Sequence, residues 1–188
     1  MPLINIRRVA PCIRLGLWRI SESADTPRQR ERQSVQALLA AMTGDDTLTI
    51  GHEVSGKPFI FRSTSQDYSP CAISISHTRG YAVVMLSDGE QIGVDIEYRS
   101  DRVERIASRF IRPDEKVETI DEMLLVWSAK EAVYKLFSED HLALFDMRTL
   151  SIDSTILRME NLKRKIVVDV HYEFTDDYVL TYVLMPES

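Results

Sequence analysis

Cysteine is scarce in this chain: Cys12 and Cys71 are the only two in 188 residues. Two are too few for a disulfide framework or a cysteine-based zinc site. No run of about 18 apolar residues occurs, so the sequence offers no membrane-spanning helix. The opening stretch MPLINIRRVAPCIRLGLW carries arginines inside its apolar run, which is not the charged head and apolar block of a secretory signal. A P-loop and a GxGxxG turn are both missing, and no spacing suggests a serine–histidine–acid triad. Internal repeats, low-complexity segments and an obvious flexible linker are missing as well. The expectation is a soluble cytoplasmic protein.

What is present suits a folded chain. Hydrophobic residues make up 44% and charged residues 28%, enough apolar material for a core in one domain or in two small lobes. Net charge is −6, yet residues 1–40 hold seven arginines against Glu22, Asp25 and Glu31, a local balance of +4. An acidic whole with a basic beginning argues against general nucleic-acid binding and allows a local site for an anion or an acidic partner. For any single arginine, a solvated face is explanation enough.

Residues 12–20 alternate as a half-buried strand does. Thr26-Pro27 opens a helix whose apolar face is Val35, Leu38, Leu39 and Met42, with Gly44 as its stop. A loop is expected over Gly51–Pro58, then strands over 72–76 and 81–86, with Ser87–Glu90 as a hairpin turn into a strand over 91–98. Asp101 and Glu104 suggest a capping box for a helix running to Phe110, and Pro113 a further helical start. A long helix is expected over Glu122–Phe137, followed by strands near 147–153, 155–160, 164–174 and 178–185. Helix and strand blocks are segregated, which makes the fold class α+β.

Three segments carry chemistry. In Gly93-Val94-Asp95-Ile96-Glu97, strand alternation puts both acids on one face, about 7 Å apart. Such a pair suits a hard divalent cation completed by substrate phosphates; it equally suits the solvated face of an edge strand. In Trp127-Ser128-Ala129-Lys130-Glu131-Ala132-Val133-Tyr134-Lys135, Trp127, Glu131 and Lys135 form one helical stripe. That is either a surface ion pair or a partly buried stripe facing metal and phosphate. His77, just past a strand end and next to the Ser76 hydroxyl, is either a phosphate contact, an acid or base, or plain surface.

Taken in order, Gly56-Lys57-Pro58, Ser76-His77, Gly93–Glu97, Arg109-Phe110 with Glu115, and the Trp127–Lys135 segment resemble the 4′-phosphopantetheinyl transferase superfamily. The resemblance is to its two-lobed type, which activates surfactin synthetase and similar carrier-protein systems, and it spans roughly residues 28–137.

It implies two similar α+β lobes in a pseudo-twofold arrangement, residues 1–86 and 87–188, with coenzyme A and magnesium between them. It further implies transfer of the phosphopantetheine arm to a serine of an apo acyl or peptidyl carrier protein, releasing adenosine 3′,5′-bisphosphate. By motif position Asp95, Glu97 and Glu131 would be metal ligands. Lys135 would act on the pyrophosphate and the leaving bisphosphate. Glu131, or a water on the metal, would take the serine proton.

Ser76 and His77 would contact the nucleotide's phosphates, and Lys57 would lie near the adenosine. The family's helix arginine is replaced by Gln36, so Arg32, one turn earlier, is the candidate phosphate contact. Glu115 matches a family acid and carries no assigned role. A monomer is expected. Two other classes use the same residues: a non-catalytic binding or scaffold homologue, and a metal-dependent phosphohydrolase. Adenosine bisphosphate released only when a carrier is present separates the transferase from both.

Overall fold

The computed structural model describes residues 2–186. The chain divides into two compact units, the first ending at Ile92 and the second beginning at Gly93. Both combine helix with largely antiparallel sheet, so the class is α+β as expected.

The first unit is built on a sheet of four strands, β1 (Leu3–Ala10), β2 (Ile13–Arg19), β5 (Ala72–Thr78) and β6 (Tyr81–Ser87). Their order is β1-β2-β6-β5 and every pairing is antiparallel. Helix α1 (Pro27–Thr43) begins with a capping box, the Thr26 side chain accepting from the Gln29 amide while the Gln29 side chain accepts from the Thr26 amide. Such a cap is worth about 1 kcal/mol. The helix ends where Gly44 takes a left-handed φ of 71°. It buries the expected Val35, Leu38, Leu39 and Met42 against Ile73, Ala82, Val84 and Leu86. A two-stranded hairpin, β3 (Leu48–His52) and β4 (Pro58–Arg62), completes the unit and adds Ile60 to that core.

The second unit holds five strands, β7 (Ile92–Tyr98), β8 (Met147–Ile152), β9 (Ile156–Asn161), β10 (Ile166–Phe174) and β11 (Tyr178–Leu184), in the order β7-β11-β10-β9-β8. Helix α2 (Ile120–Leu136) is capped by Thr119, again with a full capping box, here through Glu122. Its fully buried Val126, Ala129, Ala132 and Val133 pack with Met147, Leu157, Met159, Val168, Val170 and Val183. Each large apolar side chain sealed this way contributes about 1.5–3 kcal/mol.

Several expectations are corrected. Ser87–Glu90 is not a hairpin turn, because β7 pairs with β11 and not with β6; turn chemistry reports a reversal but cannot name the strand's partner. The segment Asp101–Arg109 is a 3₁₀ helix capped by Ser100, one residue before the expected cap. No helix starts at Pro113, where the chain makes a turn held by Glu115. The loop expected over Gly51–Pro58 is shorter, since Gly51, His52 and Pro58 pair within the β3–β4 hairpin.

Candidate active site

The strand β7 shows why its motif reads Gly-x-Asp-x-Glu. Gly93, Asp95 and Glu97 share the face that α2 covers. A Cβ on Gly93 would collide with the Ala132 carbonyl oxygen and come within 3.0 Å of the Leu136 nitrogen. Both are backbone atoms of the helix, so only glycine allows this approach. With the helix that close, the acids meet its side chains. Ser128 Oγ donates to Asp95 Oδ2 at 3.0 Å, and Lys135 Nζ donates to Asp95 Oδ1 and to the Val94 carbonyl, both at 2.8 Å. Trp127 Nε1 donates to Glu97 Oε1 at 2.8 Å. Thr181 on β11 donates to the Ser128 carbonyl at 3.0 Å and so fixes the serine from behind.

The solvated-face alternative is therefore overturned. β7 is an edge strand, but Asp95 is only 4% exposed and Glu97 is partly buried. Burial, reinforced by the neighbouring Asp95 charge and by Glu131, pushes the Glu97 carboxyl up to about 7, against the opposing pull of the Trp127 hydrogen bond and Lys135. Glu131 is raised for the same first reason, burial, and again by Asp95. Lys135 is the cation that opposes both rises and bridges Asp95. Three carboxyl groups, Asp95 buried and Glu97 and Glu131 partly so, thus lie within the field of one ammonium.

That excess of hard, negatively charged oxygen is what a divalent cation relieves. Among the described residues no three acid, histidine or cysteine side chains are grouped tightly enough to hold an ion by themselves. The donors present are carboxylate oxygens, the ligand type a hard divalent cation takes.

The residues expected to touch nucleotide lie in the first unit and are not all brought together. Arg32 and His77 line one open groove, with Arg28, Gln36, His52 and Ile75. His77 lies inside β5 rather than past its end, and its Nδ1 is 3.6 Å from Glu31 Oε2. Ser76, the preceding strand residue, is directed to the opposite face by alternation. Gln36 is occupied by a 2.6 Å hydrogen bond to the Leu48 carbonyl, which ties α1 to β3. Lys57 sits in the β3–β4 turn, its amide held by Ser55 Oγ at 3.3 Å, outside that groove's lining.

Glu115 is buried against Lys130, at 3.0 Å, with neither side chain exposed. Gly93, Ser128 and Lys130 stood within the quoted motifs without a role. Thr181 had no local signal at all.

Residues 91–183 match the family model of the 4′-phosphopantetheinyl transferase superfamily. The match takes in Asp95, Glu97, Glu131, Lys135 and the Glu115–Lys130 pair, and it leaves out Arg32, Lys57, Ser76 and His77. No curated protein matches the chain. Among the described residues no helix is long and apolar enough to cross a membrane.

Proposed function

We propose that this protein transfers the 4′-phosphopantetheine arm of coenzyme A to a serine of an apo acyl or peptidyl carrier protein, as a cytoplasmic monomer of the two-lobed type. The reading rests on one coincidence. The span similar to the superfamily contains an under-neutralised carboxylate set, Asp95, Glu97 and Glu131, with a single lysine, Lys135, among them.

In this reading the serine Oγ forms a new bond to the phosphorus that bears the pantetheine, and the pyrophosphate P–O bond breaks. Adenosine 3′,5′-bisphosphate leaves. Such phosphoryl transfer needs mostly positioning and charge neutralisation. Asp95, Glu97 and Glu131 would hold magnesium, which when bound offsets charge building on the pyrophosphate. Lys135 brings a second cation to the same charge and steadies or protonates the leaving bisphosphate. Glu131, held less acidic than an exposed glutamate by its burial, accepts the serine proton.

Residues 1–86 supply the nucleotide contacts, with Arg32 and His77 facing phosphate from one groove; Ser76, on the other face of β5, and Lys57, in the β3–β4 turn, would reach the nucleotide only outside that groove. Residues 87–188 supply the metal and catalytic groups.

The test is intact-mass analysis of an apo carrier protein incubated with this protein, coenzyme A and magnesium. The expected result is a gain of one phosphopantetheine that chelator abolishes. No gain with several carriers, in folded protein that still binds magnesium, overturns the reading in favour of a non-catalytic homologue. Coenzyme A turnover without carrier points instead to a phosphohydrolase.

A further inference from the structure

Glu115 and Lys130 have no place in the chemistry above, yet they form the most completely buried ion pair described in the molecule. Such pairs rarely persist for stability alone, because desolvating two charges offsets their attraction. Their hydrogen bonds are directional. Lys130 Nζ donates to Glu115 Oε2 at 3.0 Å and to the Phe110 carbonyl at 2.6 Å. Glu115 accepts from the Arg112 amide through Oε2 and from the Thr149 amide through Oε1, both at 2.6 Å. The pair therefore joins α2, the end of the 3₁₀ helix, the turn after it and β8.

A second set of contacts leads from there to the site. The Phe110 side chain is fully buried, and its ring meets the Trp127 indole edge-on at 5.2 Å. The indole nitrogen then donates to Glu97. Lys130 also precedes Glu131 directly, so whatever fixes the rotation of α2 at one fixes it at the other.

We propose that the Glu115–Lys130 pair is a positioning device: by clamping the Phe110 carbonyl and the turn of α2 at Lys130, it sets the placement of Trp127 against Glu97 and of Glu131 beside them. Where it concerns the metal, the inference rests on the function proposed above. Its polarity is fixed, since Glu115 faces two amide donors and Lys130 faces a carbonyl, so exchanging the two charges cannot reproduce it.

The test uses the full chain with Trp18→Phe, so that emission reports Trp127 alone, and compares it with Lys130→Met and with the neutral double variant Glu115→Gln/Lys130→Met. Removing one partner strands a buried charge, and Lys130→Met loses stability; the neutral double carries no buried charge and loses less, its fold checked by circular dichroism before either readout is taken. Expected in the folded double variant are a shift in Trp127 emission and about 10-fold or greater weakening of Mn²⁺ binding read by titration, typical of a lost outer-layer partner. Wild-type emission and wild-type Mn²⁺ affinity in the double variant overturn the inference and leave the pair a purely structural one. A parent that binds no Mn²⁺ counts against the proposed metal site, while the emission comparison still decides the positioning role.

Discussion

The two units solve one packing problem with different tolerances. Each lays a 17-residue helix, opened by a threonine capping box, on a sheet strand with a glycine beneath it. Under α1, a Cβ on Gly16 would lie 2.6 Å from Met42 Sδ and 2.8 Å from Leu38 Cδ1, outer atoms of buried but flexible side chains. Under α2, a Cβ on Gly93 would strike the backbone of Ala132 and Leu136. Side-chain tips can swing aside and a helix backbone cannot. The first helix is thus seated with some freedom and carries surface arginines on a groove. The second is locked at atomic contact and carries Trp127, Glu131 and Lys135, the groups proposed above for the chemistry. Adaptable seating suits ligand contact, and rigid seating suits positioning.

The sharpest way to break that comparison is chemical. Asp95 is buried between Ser128 and Lys135, so the clean probe is Asp95→Asn, which keeps the volume and removes the charge. Transfer should fall about 1000-fold with the fold retained, as checked by initial rates and circular dichroism. Activity close to wild type would sink the metal assignment.

Lys135→Ala should lower kcat about 100-fold with little change in coenzyme KM, whereas Arg32→Ala should raise that KM about 10-fold and spare kcat. Reversal of those signatures would dissolve the division of labour between the units.

Gly93→Ala should cost about 3 kcal/mol, and Gly16→Ala about 1 kcal/mol, because overpacking is most costly where nothing can move. Thermal melts of the two variants decide this, and equal losses would show that the seats are alike.

The smallest effect concerns pH. The folded-state carboxyl of Glu97 is raised to about 7 from an ordinary 4.5, so the folded state holds a proton there that the unfolded chain has released. Metal-free stability contributed by this group is present below 4.5 and is lost as pH rises towards 7. Relative to wild type, Glu97→Gln should gain stability across that window and level off above it. A flat difference in melting temperature from pH 4.5 to 8 would contradict the burial argument.

Much of this arrangement was written locally. The cap at Thr26, the stop at Gly44, the stripe of α1 and the last four strands each announce themselves through short-range chemistry, and the structure contains them. The face shared by Asp95 and Glu97 follows from strand alternation, but its burial does not. That depends on α2, some thirty residues on, lying across β7, and the clue was the glycine two residues before Asp95. Thr181 and the Lys130–Glu115 pair were illegible for a related reason. A hydrogen bond between distant elements leaves no periodicity, and a buried lysine in a helix reads like any solvated one. The strand β1 was hidden by arginines at 7 and 8, which an edge strand carries half-buried and exposed respectively without penalty.

The pairing of β7 with β11 has a kinetic corollary. The strand that carries Asp95 and Glu97 leaves the ribosome early in the second unit, but its ladder partner, β11, is made some eighty residues later. Until residues 178–184 emerge, that edge stays unpaired, and closing so long a loop is slow compared with forming α2 or the β9–β10 hairpin. The strand bearing Asp95 and Glu97 therefore joins its sheet only after every element between β7 and β11 has been made, and a nascent chain stalled before Tyr178 holds the Trp127–Lys135 segment over a strand that has no ladder partner.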